Sequence, residues 1–429
     1  MERVDAAVVG AGLAGLSCAY VLAKAGLDVL VVERGDYPGS KNVTGGRLYM
    51  NPVRKYVPEI WDEAPFERHV TKERLTMLSD DSSLTLELRS DRYGERPYHS
   101  YTLLRPVFDR WLAEKASAEG AAIVPKYKVE GLLHEGGKVS GIRAEGEDIA
   151  ANVVIAADGA LSFIAEEAGL RKKHKPEHFA VGVKETVELP RKTIEDRFSL
   201  HGDEGAAQLY FGSLTKGLTG GGFLYTNRES ISLGIVVGIG SLMADAHHVD
   251  TYQMMEEFKQ RPEVSALIDG GDTVEYAAHA IPEGGINSLP TLYSDGILVV
   301  GDAAAFALNM GIIVRGMDLA IASGVMAAET IKTAKKRDDY SASSLAAYET
   351  MLNSSFVMKD LHTFRNVWRV LSNPRLFSKY PRMITDLLTD LMLIGPDSKA
   401  KLSSTVLRHI RKNFLALSVL KDGVDLLKI

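Results

Sequence analysis

VDAAVVGAGLAGLSCAYVLAKAGLDVLVVERG, residues 4–35, reads as a strand, a glycine turn, a helix and a second strand. The first strand is Ala6-Ala7-Val8-Val9, and the turn is Gly10-Ala11-Gly12-Leu13-Ala14-Gly15. An Ala- and Leu-rich helix then runs to about Lys24, and Val29-Leu30-Val31-Val32 ends in Glu33. In such a turn Gly10 permits the tight bend, Gly12 lets a pyrophosphate approach the backbone, and Gly15 lets the helix pack on the strand. The helix N-terminus adds unpaired N–H groups and a positive dipole end for phosphates. Glu33, 18 positions after Gly15, stands near the spacing at which an acid accepts hydrogen bonds from an adenosine ribose. A lone glycine pattern is weak evidence, but here both strands, the helix and the acid are present, so the unit is predicted to be a dinucleotide site in an α/β fold.

The rest of the composition narrows the class. The chain has 429 residues, 45% hydrophobic and 25% charged, with net charge −6, which excludes disorder, collagen and a disulfide scaffold and suits two domains with an appendage. Cys18 is the single cysteine and is expected to pack as a small hydrophobe inside the first helix. One cysteine makes no internal disulfide and ligates no Cys₄ iron–sulfur cluster, and such usage fits a reducing compartment. With the first strand beginning near Met1 and no apolar run of the ~18 residues a spanning helix needs, a cytoplasmic protein is expected, able still to lie on a membrane. Charge is uneven: residues 354–429 carry 13 Lys+Arg against 6 Asp+Glu, net +7, leaving −13 for the preceding body. That tail fits an acidic partner or an anionic membrane surface, or is a solvated basic face.

Residues 34–46 read as a loop leaving the C-terminal end of a parallel strand, where ligands sit in this architecture, or as a plain connection. Residues 50–100 alternate polar and apolar, as in Leu84-Thr85-Leu86-Glu87-Leu88, and predict short strands of a separate sheet. Pro106 opens a helix whose apolar face is expected at Val107, Trp111 and Leu112. Arg105 before it could meet a phosphate, a carboxylate or a surface ion-pair partner. A hairpin is expected over residues 129–143, and then Val153-Val154-Ile155-Ala156-Ala157 runs as a buried strand into Asp158-Gly159. Residues 176–276 predict an antiparallel sheet able to cover a cofactor. Within it, Thr219-Gly220-Gly221-Gly222 suits close approach of a ligand, or a bulge. Ile297-Leu298-Val299-Val300 ends in Gly301-Asp302, and a helix is expected from near Ile313 through Met326. Residues 403–421 place Val406, Ile410, Phe414, Leu417 and Leu420 on one face of a basic amphipathic helix, docked on the protein or lying at a membrane interface.

Three strand ends, Gly10 to Gly15, Asp158-Gly159 and Gly301-Asp302, are spread over the chain with the antiparallel block inserted before the last. This order resembles flavoproteins of the p-hydroxybenzoate hydroxylase type, an α/β Rossmann-type fold with an inserted sheet domain. A closer resemblance covers nearly the whole chain: VVGAGLAG, ERG, KNVTGGRLY, LLRPVFDRWL, AVGVKE, GGGFLYTN, VGDAAAFALNMGIIVRGMDLAIASG and NPRLFSKYP look like FixC-type proteins, relatives of electron-transfer-flavoprotein:quinone oxidoreductase. The resemblance implies FAD as cofactor, with Gly10, Gly12, Gly15, Glu33 and Arg34 on its ADP half and Leu13 and Ala14 at the helix start beside them. It implies Lys41, Asn42, Val43, Thr44 and Gly45 beside the isoalloxazine, Arg105 and Asp302 near the linking chain, and Gly311 with Ile312 at the pyrimidine edge. Val129, Asp158, Gly159 and Gly301 complete the cofactor-binding candidates. Gly220, Gly221, Phe223 and Tyr225 are the quinone candidates.

The same resemblance implies a discontinuous FAD-binding domain over 1–50, 101–175 and 277–340. An antiparallel-sheet quinone domain would cover 51–100 and 176–276, and a helical basic region 341–429. Single-chain relatives carry a C-terminal four-iron cluster, for which this chain has no cysteines. The implied partners are therefore a ferredoxin-like iron–sulfur subunit, a two-subunit electron transfer flavoprotein and a membrane quinone. The implied place is the inner face of the cell membrane. In some such assemblies NADH electrons are bifurcated, a step that belongs to the partner flavoprotein. No metal ligands and no general base are nominated, because the flavin carries the chemistry. Lys184, Glu185 and His279 are expected near the ring face or in structural pairs. The competing readings are a flavin monooxygenase or prenyl-chain (geranylgeranyl-type) reductase using NAD(P)H, and an assembly subunit whose FAD is structural.

Overall fold

The structure is a computed structural model describing residues 3–42, 45–245, 249–414 and 417–427. Its first sheet is built on the apolar strands of the opening unit. Arg3–Val9 lies between Val29–Val32 and Glu147–Ala156, with Ala122–Val124 beyond the former and Ile297–Val299 beyond the latter, all parallel. Ala6, Ala7, Val8, Val153, Val154 and Ile155 are fully buried, as strands covered on both faces must be. Each Val or Ile side chain among them contributes roughly 1.5–3 kcal/mol when buried, and each Ala methyl about 0.8 kcal/mol. The hairpin of Val129–Glu135 and Lys138–Ala144 continues antiparallel onto Glu147–Ala156.

Register decides where the motifs go. Val9 pairs with Ala156, and Ala156 pairs with Val299. The segments that follow, beginning at Gly10, Ala157 and Val300, therefore leave the same edge of the sheet side by side. Helix α1 (Leu13–Lys24) buries almost its whole length, Cys18 included. It packs against α2 (Arg105–Ala118) and α3 (Met317–Arg337). The expected face of α2 is corrected: Phe108, Asp109, Leu112, Ala113 and Ala116 are buried, whereas Val107 is exposed. Helix α3 begins at Met317 rather than near Ile313, because Leu308–Asn309 pairs with Val314–Arg315 in a small ladder.

Among the described residues the second sheet has nine strands. Asp272–Pro282, Phe179–Glu188, Ser230–Gly238, Gly220–Thr226 and Glu204–Gly212 run antiparallel in that order. His69–Leu78 joins Glu204–Gly212 in parallel, so the expected antiparallel sheet is mixed where its two chain portions meet. Ser83–Arg89, Ser100–Leu103 and Gly46–Tyr49 complete it. Val183, Leu233, Ile235 and Leu224 point to one face, packed with Ile194, Phe198, Met254 and Phe258 from covering helices. The other face looks back toward the strand ends of the first sheet.

The C-terminal part is helical, with α4 (Lys379–Met392), α5 (Leu402–His409) and α6 (Leu417–Leu426). The single amphipathic helix expected over 403–421 is interrupted by a π turn at Ile410–Phe414. Thr405 and His409, not Val406 and Ile410, are its buried residues, and His409 pairs with Asp390 of α4 at 2.8 Å. The side chains of Phe414, Leu417 and Leu420 lie outside the described residues. Among those described, no helix is long and apolar enough to cross a membrane.

Candidate functional site

The glycine turn forms a cradle. Gly10 has φ 104°, and a Cβ there would meet Ala157 O at 2.5 Å, so its conformation and its neighbour both demand glycine. A Cβ on Gly15 would lie 2.1 Å from Gly10 O, the close helix-to-turn approach that glycine permits. Gly12 differs: a Cβ there would meet nothing within 4 Å. That open space faces the N-terminus of α1, whose cap makes no side-chain hydrogen bond and whose first turn holds no acid. An anion fits this vacancy. Glu33 closes the cradle, accepting hydrogen bonds from Ala11 N–H at 2.9 Å and Gly35 N–H at 2.6 Å.

The cradle opens into a cavity of about 940 Å³ between the strand ends of the first sheet and the free face of the second. The predicted Gly10, Gly12, Leu13, Ala14, Glu33 and Arg34 line it, as do Lys41, Asn42, Gly45 and Arg105. So do Val129, Asp158, Gly159, Asp302 and Gly311. On the opposite wall stand Gly220, Gly221, Phe223 and Tyr225. Three predicted residues are not on the lining. Gly15 and Gly301 act from behind it, Gly301 abutting Ala14 and giving its N–H to Ser323 Oγ at 3.0 Å. Ile312 is 65% exposed and does not line the cavity. Val43 and Thr44 lie outside the described residues.

Several polar side chains are already engaged. Arg105 donates twice to the fully buried Asp109, both bonds 2.8 Å, and Asp109 also accepts from Asn42. Of the partners open to Arg105, a carboxylate on its own helix is the one present. Asp158 accepts from Ser162 Oγ–H at 2.6 Å and Ile164 N–H at 3.1 Å, so its carboxylate organises the turn after the strand. Asp302 accepts no side-chain hydrogen bond among the described residues. Burial raises its pKa, opposed by His279 and Arg105, and burial holds His279 low, opposed by Asp302. Glu185 turns to the covered face and pairs with Lys259 at 3.0 Å, whereas Lys184 and His279 line the cavity.

Among the lining residues that escaped the sequence reading are Arg47 and Glu283. Arg47 forks onto Glu73 at 2.8 Å and lies over Tyr49, 4.5 Å from its ring centroid. It stands within KNVTGGRLY, but only pairing of the short strand Gly46–Tyr49 puts it there. Glu283 accepts from Asn309 Nδ2 at 3.2 Å, and burial pushes its pKa up. It follows a strand whose period carries no sign of a site.

Residues 3–201 match the FAD binding domain family, residues 179–281 the ETF-QO, ubiquinone-binding family, and residues 369–429 the ETF-QO/FixC family C-terminal domain. The probable electron transfer flavoprotein-quinone oxidoreductase YdiS of Escherichia coli K12 is 46% identical, covering 99% of this chain and 98% of its own. Protein FixC of the same strain is 45% identical over 98% and 97% of the two chains. The chain belongs to the FixC/ETF-quinone oxidoreductase family. Protein FixC of Azorhizobium caulinodans is 41% identical over 95% and 94%. Among solved structures, a geranylgeranyl bacteriochlorophyll reductase-like protein from Thermoplasma acidophilum superposes with TM-score 0.73 at 22% identity, covering 99% and 100%. The flavin-dependent brominase Bmp2 gives TM-score 0.65 at 16% identity, covering 99% and 98%. These likenesses show the fold alone, the FAD-binding α/β architecture. As a FixC/ETF-quinone oxidoreductase family member, the protein is a FAD-dependent oxidoreductase.

Proposed function

We propose that this chain is the subunit that reduces a membrane quinone with electrons from a two-subunit electron transfer flavoprotein, alongside a ferredoxin-like iron–sulfur subunit. The observation that carries this reading is that one cavity joins the cradle at Gly10 to Gly15 to the glycine-edged strand Gly220–Thr226. That strand falls inside the ubiquinone-binding match. When bound, FAD supplies the electron relay, taking up electrons and passing a pair onward. The α1 N-terminus and Gly12 would hold the pyrophosphate, and Glu33 would take the ribose. Arg34, Lys41, Asn42, Gly45, Arg105 and Asp302 would line the remainder of the cofactor. Gly220 and Gly221 line the cavity where a flat quinone head would lie, with Phe223 and Tyr225, 5.3 Å apart and stacked, on the same wall. The sheet itself demands both glycines, because a Cβ would meet Val236 O at 2.1 Å and Tyr210 O at 2.7 Å, respectively.

The domain division follows the same reading: 1–50, 101–175 and 277–340 hold FAD, 51–100 and 176–276 hold the quinone. The basic region 341–429 meets partners or the inner face of the cell membrane. Supporting that contact, Met392, Leu393 and Ile394 are 78%, 65% and 79% exposed on a tail of net positive charge. The single cysteine supports a reading in which the cluster sits on a separate subunit. Where NADH is the electron source, bifurcation belongs to the partner flavoprotein.

The test mixes FAD-loaded protein with its genomic-neighbour electron transfer flavoprotein, NADH and a short-chain quinone. Quinone reduction that stops when either protein is omitted is the expected result. NAD(P)H consumption by this chain alone would replace the reading with a monooxygenase or reductase.

A further inference from the structure

Across the cavity face of the second sheet, Lys184, Gly234 and Phe223 stand in one cross-strand row on three neighbouring strands. The middle position must be glycine. A Cβ on Gly234 would meet Phe223 Cζ at 2.6 Å and Val183 O at 2.4 Å. With no side chain between them, the Phe223 ring lies across the gap and the Lys184 ammonium reaches it, 5.2 Å from the ring centroid. The next row along the same strands is Gly221, Val236, Gly182 and His279, about 7 Å away. Lys184 thus stands one row from the glycine edge, on the same face, with the cofactor loop against it: its Nζ lies 3.4 Å from Gly45 O.

This cation has no ion-pair partner among the described residues. Glu185 faces the opposite side of the sheet, paired with Lys259. The charged and titratable groups that act on or are acted on by Lys184 are Arg105 from α2 and His279 from the adjacent strand, and Arg34, Lys41, Arg47, Glu283 and Asp302 stand elsewhere on the cavity wall. Arg105 is committed to Asp109. Burial, reinforced by Arg105, lowers the Lys184 pKa to about 8. Lys184 is exposed only in part, and it lines the cavity.

We infer that Lys184 is the proton donor to the bound quinone. This rests on the proposed quinone-reducing function. Quinone to quinol takes two electrons and two protons. FAD held in the cradle would supply the electrons. One Lys184 N–H bond breaks as an O–H bond forms on the quinone oxygen nearer the sheet. Water entering the cavity delivers two solvent protons, one to the second oxygen and one to reload the neutral amine. Phe223 holds the ammonium by cation–π attraction without neutralising it, which a carboxylate partner would do.

The experiment compares Lys184→Met and Lys184→Arg with the unsubstituted FAD-loaded protein in the partner-coupled assay. Flavin content checks the fold, and quenching of tryptophan fluorescence from the cavity residue Trp368 reads binding of the short-chain quinone. Expected are unchanged flavin content, quinone affinity within about twofold, and a turnover number about 100-fold lower in both variants, the usual scale for a lost general acid. Arginine keeps the charge but releases no proton near neutral pH, so it separates donation from electrostatics. If Lys184→Met loses its cofactor, Lys184→Arg still decides. The unsubstituted protein's turnover should fall as pH rises through about 8, a limb both variants lack. Normal turnover in Lys184→Arg overturns the proton donor and leaves quinone reduction standing. Absence of quinone reduction by the unsubstituted protein overturns the parent reading itself.

Discussion

At the scale of the residue, two glycines of one motif carry different burdens. Gly12 borders open space, whereas a methyl on Gly15 would be driven into Gly10 O at 2.1 Å. Gly12→Ala should therefore change the stability of the flavin-free protein by under about 1 kcal/mol while crowding the pyrophosphate and lowering FAD affinity by roughly tenfold or more. Gly15→Ala should cost about 1–3 kcal/mol with or without FAD, as overpacking does. Urea melts of the flavin-free proteins beside flavin titrations would check both, and equal destabilisation by the two would contradict the cradle. Glu33→Gln leaves one acceptor oxygen where two N–H groups, those of Ala11 and Gly35, are now served and removes the charge, so a loss of FAD affinity is expected from the same titration. The spacing of Gly10 to Glu33 was legible in the sequence because phosphate and ribose sit at fixed distances along a strand-turn-helix unit. The Arg105–Asp109–Asn42 cluster was not, since the 67-residue separation of Asn42 from Asp109 is closed only by folding.

At the scale of the element, α3 shows what periodicity can and cannot say. That a helix runs here was legible, but its start was not, and residues 318–328 are buried all round rather than along one stripe. Met310 N–H bonds Ile313 O at 2.8 Å, and this tight link claims the residues just before the helix. Gly324 sits where α3 crosses α1, and a Cβ there would lie 2.1 Å from Ala14 O. Gly324→Val should force the helices apart, costing about 1–3 kcal/mol or more. The movement would also disturb Ser323, which holds Gly301 N–H at 3.0 Å, so FAD affinity should fall with stability. A lowered urea midpoint at unchanged slope, with weaker flavin binding, is the expected pair of results. A variant that loses stability yet binds FAD normally would separate the helix crossing from the site.

At the scale of the whole molecule, the C-terminal helices are held by a few polar ties. Asp422 of α6 takes two 2.7 Å bonds from Arg375 and one from Tyr380, and the Arg375 bond chiefly holds its carboxyl well below the ordinary range. A depressed carboxylate stabilises the folded state above its unfolded pKa of about 3.9 and loses that contribution as pH falls toward the folded value. Protease sensitivity of the C-terminal region should therefore be flat near neutrality and rise below about pH 4. Asp422→Asn should reproduce that loosening at pH 7; hydrogen exchange of α6 would read it, and unchanged protection would contradict the tie. If the basic tail meets a bilayer, sedimentation with anionic vesicles should weaken from 0.05 to 0.5 M salt, as screening requires. By itself the sequence determined the dinucleotide unit, the three strand-end motifs and their order, because glycine turns and apolar strands are local and carry their chemistry in their spacing. Tertiary structure alone decided that Val9, Ala156 and Val299 end at one level and that the second sheet turns Lys184 toward the cavity and Glu185 away from it. Register and facing are properties of strands paired across long separations, where a shift of one residue reverses every side chain.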